Sequence, residues 1–272
     1  MEITDNHFHL DPSGKGQLAV KEFVKAGGTR LVLVHKPYEP WKKIGNFKKQ
    51  VETTLRLSIK AREAGAKVAV VAAPHPVQLL KLLESYEETQ ASEIYIEAVD
   101  FCTELVNENK IVGLGELGRP HFEVERQIWT LSNKILSESL SRAKDVDAAA
   151  VLHTESGTPE VMADLSKLAT KVNFPKSRLV KHYGGPGAIE DSHGIVVSLI
   201  SSATNIAYAS KLKSSFMLET DYLDDLKRPG AVMGPKTVPR KTFAALEKDI
   251  LSKEQVFDIH TTLPDSVYRE FT

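Results

Sequence analysis

Short apolar runs and longer amphipathic stretches alternate along the chain. The apolar runs fall at Glu2–Asn6, Arg30–His35, Lys67–Ala73, Ile111–Glu116, Ala148–His153, Arg178–His182, Gly194–Leu199 and Phe216–Asp221. Several (LVLV, VAVVAA, AAAVL) are unbroken and rich in β-branched residues, the pattern of parallel strands buried on both faces. Between them, stretches such as Gln50–Ala64 and Val124–Ala143 carry helical periodicity. Repeated strand–helix alternation predicts an α/β fold, a (β/α)8 TIM barrel. A doubly wound open sheet competes, but it usually has fewer strands, and no GxGxxG follows the first one. After the eighth strand comes a Pro/Gly-rich loop (KRPGAVMGPKTVPR, Lys227–Arg240), then two short helical segments. With no linker, low-complexity tract or repeat, residues 1–272 are expected to form one domain.

A barrel of this kind places its active site at the C-terminal ends of its strands. The first strand runs into Asp5-Asn-His7-Phe-His9. In extended chain His7 and His9 project to one side, because side-chain direction alternates with a period of two. The fourth strand ends at Glu116, the fifth at His153, the sixth at His182 and the eighth at Asp221. Four imidazoles and two carboxylates would therefore meet at one rim. That donor set suits one or two divalent cations such as zinc, manganese, magnesium or cobalt. Glu116 could bind one ion or bridge two, and Asp221 could take the proton from an attacking water. An HxH pair alone is common by chance, and a lone strand-end histidine is more often structural. Six such residues at the appropriate strand ends are harder to explain separately.

Other residues carry weaker signals. His75, in APHP after the third strand, could contact substrate or only stabilise its turn. Arg119 and His121 follow Glu116 and could reach a phosphate, though an ordinary loop role fits as well. His35 is a weaker candidate, and His193 and His260 are assigned to structure or surface.

Composition narrows the partners. At 272 residues the chain is close to the roughly 250 of a typical barrel. A net charge of −1 supplies no global field for nucleic acid or an anionic membrane. The single cysteine, Cys102, excludes an intrachain disulfide and reads as a small buried apolar residue rather than a nucleophile. With no long apolar run and no leader-like N-terminus, a cytoplasmic location is expected.

These motifs resemble those of the TatD-related deoxyribonucleases, within the amidohydrolase superfamily of metal-dependent barrels. DNHFHLD is similar to a D-x-H-x-H-L-D first-strand motif, and GLGELG to a G-E-x-G-L-D motif. The PHP within Ala73–Val77 resembles the strand-three Gly-x-His-Pro-His turn. VLHTE, KHYGG and LETDYL resemble the strand-five histidine, the strand-six histidine and an E-T-D-x-P motif. The segment GPKTVPRK resembles the Pro-containing start of the following helix, so the resemblance spans essentially the whole chain in order. It implies a TIM barrel, divalent metals and hydrolysis of phosphodiester bonds in DNA. It further implies that His7 and His9 hold one ion, that Glu116 bridges, and that His153 and His182 hold a second. Asp221 would be ligand and general base, and His75 would sit near the scissile phosphate.

The chain departs from that pattern in places. Glu155 stands where the family usually has Arg, Arg119-Pro120 replaces Leu-Asp, and the Pro after Asp221 is missing, with Asp224 and Asp225 adding charge. The rival function is a lactonase, amidohydrolase or small-phosphoester hydrolase of the same superfamily. Many such relatives bridge their metals with a carboxylated lysine on strand four, where this chain has Glu116. A non-catalytic metal-binding barrel is a third reading, although none of the six ligand types is missing. For DNA there is one local argument. Lys36, Lys42, Lys43, Lys48 and Lys49 interleave with Tyr38, Trp41 and Phe47, so a loop there could bind phosphates and stack on bases, or be simply solvated. Lys227, Arg228, Lys236, Arg240 and Lys241 form a second basic stretch open to both readings.

Overall fold

The computed structural model describes residues 1–212, 214–228, 232–269 and 271. Its strands are β1 (Thr4–His9), β2 (Arg30–Val34), β3 (Lys67–Val71), β4 (Gly113–Gly118) and β5 (Ala149–His153). They continue as β6 (Leu179–Lys181), β7 (Val196–Ile200), β8 (Met217–Glu219) and β9 (Tyr222–Leu223). The helices of the first half are α1 (Gln17–Lys25), α2 (Ile44–Glu63), α3 (Pro76–Leu83), α4 (Glu88–Asn107) and α5 (Arg126–Asp145). Then follow α6 (Pro159–Lys171), α7 (Gly187–Glu190), α8 (Ala203–Ala209), α9 (Thr237–Glu247), α10 (Lys253–Phe257) and α11 (Leu263–Tyr268).

The strands run in the order β8-β7-β6-β5-β4-β3-β2-β1-β9, with every neighbouring pair parallel. β8 and β9 are two pieces of the expected eighth strand, interrupted at Thr220 and Asp221. β8 pairs with β7 and β9 with β1, so the interrupted strand joins the two edges of the sheet into a barrel. At the break, the Asp5 carboxylate accepts the Thr220 N–H (3.0 Å) and the Thr220 hydroxyl (2.6 Å). A side chain thus supplies what the ladder leaves out, and the chain is freed to turn Asp221 toward the mouth.

The barrel interior is filled by small and branched side chains, among them Val32, Val34, Ala69, Val71, Ala149, Val151, Val180 and Met217. Val267 and Tyr268 of α11 join this cluster. A second, larger layer, with Ile3, Phe8, Phe23, Leu31, Phe47 and Leu114, packs the strands against the helices. Two register irregularities matter for function. Between Leu114 and Leu117 of β4, two residues (Gly115 and Glu116) oppose Val151 alone, and β1 slips similarly between Asp5 and Phe8. Leu114 and Leu117 both belong to the outer layer. At Gly115 a Cβ would meet the interior side chains of Val71 and Val151 at 2.8 Å, so Gly115 faces inward. Strict alternation would then aim Glu116 at the helices; the extra residue turns it to the barrel mouth.

Several boundaries differ from the sequence reading. β1 continues through His9, so both histidines of the HxH pair lie inside the strand. α2 begins at Ile44 rather than Gln50, so half of the basic, aromatic segment is helix. Among the described residues two helical segments follow the barrel, as expected: α9, which takes up the end of the Pro/Gly-rich stretch, and a second in which a π-helical turn (Asp258–Thr262) joins α10 directly to α11. Pro229, Gly230 and Ala231 of that stretch lie outside the described residues. Among the described residues no helix is long and apolar enough to cross a membrane.

Candidate metal centre

The six residues expected to ligate metal converge at the barrel mouth. His7 Nε2 lies 3.1 Å from His9 Nε2 and 3.5 Å from Glu116 Oε1. Asp221 Oδ1 stands 3.5 Å from His9 Nε2 and 3.9 Å from His7 Nε2. On the other side of Glu116, Oε1 is 2.9 Å from His153 Nδ1 and 3.1 Å from His182 Nε2. His7 and His182 stack with ring centroids 4.0 Å apart. Three groups have donor atoms all within 4.8 Å of one another: His7, Glu116 and His182; His7, His9 and Asp221; and His75, Glu116 and His153. Glu116 belongs to two of them and His7 to two, an arrangement that fits one ion or a bridged pair.

Hydrogen bonds at the far ring nitrogens set the tautomers. His9 Nδ1 donates to the Val34 carbonyl (2.9 Å), which leaves the Nε2 lone pair facing Asp221 and Glu116. His182 Nδ1 donates to Glu219 Oε1 (3.2 Å), leaving Nε2 aimed at Glu116. This carboxylate–histidine pairing orients a ligand and raises its basicity. His7 Nδ1 is buried with no hydrogen-bond partner among the described residues, while its Nε2 faces the cluster. His75 differs. Its Nδ1 accepts the Val77 N–H at the start of α3 (3.2 Å), so the proton sits on Nε2, 3.9 Å from Glu116 Oε2. His75 therefore presents an N–H to the cleft and is built as a hydrogen-bond donor more than as a ligand.

Charge reinforces this geometry. Burial alone would raise the Glu116 carboxyl, but His153, His182 and His7 outweigh it and hold the group well below the usual carboxylate range. Burial lowers His7, helped by the neighbouring His182. For His182 burial is overcome by Glu219 and Glu116, which lift the imidazole to about 10, so an ion bound at Nε2 would take the place of a proton there. The Asp221 carboxyl resists burial in the same way and is held low, chiefly by His9. Asp221 adopts φ = 50°, a left-handed conformation uncommon outside glycine and tolerated by Asp.

Two buried groups escaped the sequence reading. Glu219 is fully buried and accepts from both His182 and the Tyr183 N–H (2.8 Å). It lies two residues before Asp221 in the LETD segment, and that spacing was the available signal. Lys181, only 1% exposed, precedes His182 and donates to the His182 carbonyl (2.8 Å). A lysine inside an apolar strand run was its signal, and burial pushes its ammonium down to about 8.

Arg119 and the basic, aromatic segment, each open to two readings in the sequence, are both built into the framework. Arg119 does not open onto the cleft. It is 1% exposed, and its guanidinium makes a two-pronged pair with Glu155 (2.5 and 3.0 Å). It also donates to Asn133 (2.8 Å) and Asp164 (2.5 Å) and lies over the Trp129 ring. Glu155 is accordingly the partner of Arg119, not a free acid beside substrate. Asp224 is likewise buried, accepting the Lys15 and Gly16 N–H groups (both 2.8 Å) and pinning the loop after β1. In the basic, aromatic segment Trp41 and Phe47 are buried in the core and Tyr38 bonds Thr54 (2.8 Å), so the rings do not form an exposed stacking platform. In the second basic stretch, Arg228 pairs with Asp225 (2.8 Å) and Lys236 with Glu22 (3.3 Å). His121 approaches the centre, with Nδ1 2.9 Å from His153 Nε2. His35 bonds Thr54 (2.7 Å), and His260 is buried between Thr4 and Thr242.

A cleft of about 270 Å³ opens beside the cluster, lined by His121, His153, Thr154, Ser156, His182 and Tyr183 with Lys181 and Asp221. The fold and the order of these residues invite comparison with known proteins. The chain is 34% identical to an uncharacterized protein of Methanocaldococcus jannaschii, over 98% of this chain and 96% of the relative. A solved TatD homologue from Escherichia coli K12 superposes with a TM-score of 0.68 at 18% identity, covering 98% of both chains. A phosphotriesterase homology protein from Escherichia coli, solved with phosphate in its active site, gives 0.63 at 13% identity, again over 98% of both chains. Residues 4–269 match the family described as TatD related DNase, and the chain belongs to that family.

Proposed function

We propose that this protein is a divalent-metal-dependent hydrolase of phosphodiester bonds, with DNA as the first substrate to test. The observation that carries the reading is Glu116, a buried carboxylate within 3.5 Å of His7 in β1, His153 in β5 and His182 directly after β6. On this reading His7, His9, Glu116, His153, His182 and Asp221 hold one or two ions. When bound, such an ion lowers the pKa of a coordinated water and polarises a phosphoryl oxygen. Zinc, manganese, magnesium and cobalt all suit these donors, and availability decides among them. Asp221, at the open side of the cluster, accepts the proton of the attacking water and returns one to the leaving oxygen. His75 donates its Nε2–H toward the substrate's phosphoryl group. Glu219 fixes the ring of His182 through Nδ1. The domain spans residues 1–272, and a cytoplasmic setting agrees with a single, buried cysteine.

A second reading, hydrolysis of a lactone or small ester, is favoured by one observation: Trp41 and Phe47 are core residues and offer nothing for bases to stack on. One experiment separates the two. Metal content is measured by elemental analysis, and nuclease and lactonase assays are run on the reconstituted wild type, His7→Ala and Asp221→Asn. One or two ions per chain, with DNA cleaved by wild type and slowed roughly 10²- to 10⁴-fold in Asp221→Asn, supports the phosphodiesterase reading. Lactone turnover without DNA cleavage moves the protein to the second. No metal under any loading condition overturns both.

A further inference from the structure

We propose that Lys181 is the substrate-recognition cation of this cleft, contacting an anionic oxygen of the phosphoester next to the metal centre; the inference rests on the phosphoester reading above. It comes from an inventory of positive charge around the cleft. An anionic substrate needs a cation that is not a metal ligand, and the loops after β4 and β5 are the natural suppliers. Neither provides one. The loop after β5 carries Glu155, and the Arg119 guanidinium that follows β4 is consumed by Glu155, Asp164 and Asn133. Of the described residues lining the cleft, Lys181 alone is a lysine or arginine.

Its surroundings suit an anion. Lys181 is 1% exposed, and its one hydrogen bond among the described residues goes to the neutral main-chain carbonyl of His182 (2.8 Å). Among the described residues it makes no ion pair, although Glu219, Glu155 and Glu116 are near enough to act on it through space. An ammonium has three N–H donors, so two are uncommitted. Burying an ammonium without a carboxylate partner is costly, and an anionic ligand in the adjoining cleft would recover much of that cost. The placement is also stiff. The His182 carbonyl that Lys181 holds belongs to the residue whose ring faces Glu116, so recognition and metal centre meet at the end of β6.

The test uses inorganic phosphate as probe, titrated calorimetrically into the metal-loaded full chain, with metal stoichiometry measured in parallel. Lys181→Met should weaken phosphate binding roughly 10- to 100-fold, the size expected for a lost charge-assisted hydrogen bond, and leave metal stoichiometry unchanged. Lys181→Arg should retain most of the binding. Wild-type and Lys181→Met binding phosphate equally would overturn the assignment while leaving the phosphoester reading intact. A metal-loaded wild type that binds no phosphate and turns over only a neutral lactone would overturn both. Should Lys181→Met fail to fold, Lys181→Gln, which keeps a donor to the His182 carbonyl without the charge, answers the same question.

Discussion

Glu219 touches no substrate in this reading, yet its carboxylate governs one side of the centre. It is fully buried, its Oε1 accepts from His182 Nδ1, and its Oε2 has no hydrogen-bond partner among the described residues. Buried carboxylates with an open oxygen are expensive to keep, so this one is held for what it does to His182. It fixes the proton on Nδ1 and makes Nε2 the donor atom. Replacing it with the near-isosteric amide keeps the shape and removes the charge. Glu219→Gln should lower metal affinity by roughly 10- to 100-fold, read by competition with a chelating dye, while the folded content by circular dichroism stays unchanged. An unaltered affinity would show that the His182 ring is set by packing against His7 alone.

At the scale of elements, the Arg119 cluster ties the loop after β4 to the loop after β5 and to helices α5 and α6, through Glu155, Asn133 and Asp164. Glu116 lies three residues before Arg119, and His153 two before Glu155, so the clamp bears on the spacing of two proposed ligands. Arg119→Met should cost about 2 kcal/mol, less than a wholly buried pair, because Glu155 and Asp164 are partly exposed. Urea unfolding measures that cost, and a loss below about 0.5 kcal/mol would show the clamp to be idle. The same cluster marks the limit of what could be read from the sequence. Strands, barrel and the six converging residues were legible because periodicity and strand ends encode them locally. The pairing of Arg119 with Glu155 joins loops 36 residues apart, and no periodicity records it. The start of α2 was hidden for a related reason. Lys43 caps it without a side-chain hydrogen bond, so no sequence signal precedes Ile44. The bulge that turns Glu116 inward was invisible too, although the alternating glycines of GLGELG were its trace.

For the whole molecule, two buried histidines outside the proposed ligand set, His260 and His35, contribute to how it responds to acid. His260 is buried where the C-terminal segment packs on β1; Nδ1 accepts the Thr4 N–H (3.0 Å), so Nε2 donates to the Thr242 hydroxyl (2.9 Å). Burial lowers its pKa to about 4, and burial likewise lowers His35, bonded to Thr54, to about 3. In the unfolded chain both return to about 6.5. Below that value the unfolded state takes up protons that the folded state refuses, so unfolding is favoured increasingly as pH falls. Their contribution is fully present above pH 6.5 and is lost as pH falls through 4 for His260 and 3 for His35. For His260 alone the loss amounts to about 3 kcal/mol across that interval. His260→Gln retains one acceptor and one donor for Thr4 and Thr242 but does not titrate. Urea unfolding followed from pH 7 to pH 4 should therefore fall less steeply in His260→Gln than in the wild type, by about 3 kcal/mol over the interval if the assignment holds. Parallel curves for the two proteins would mean that His260 is protonated as readily folded as unfolded. The acid sensitivity would then have to arise elsewhere, with His35→Gln as the next variant in the same titration.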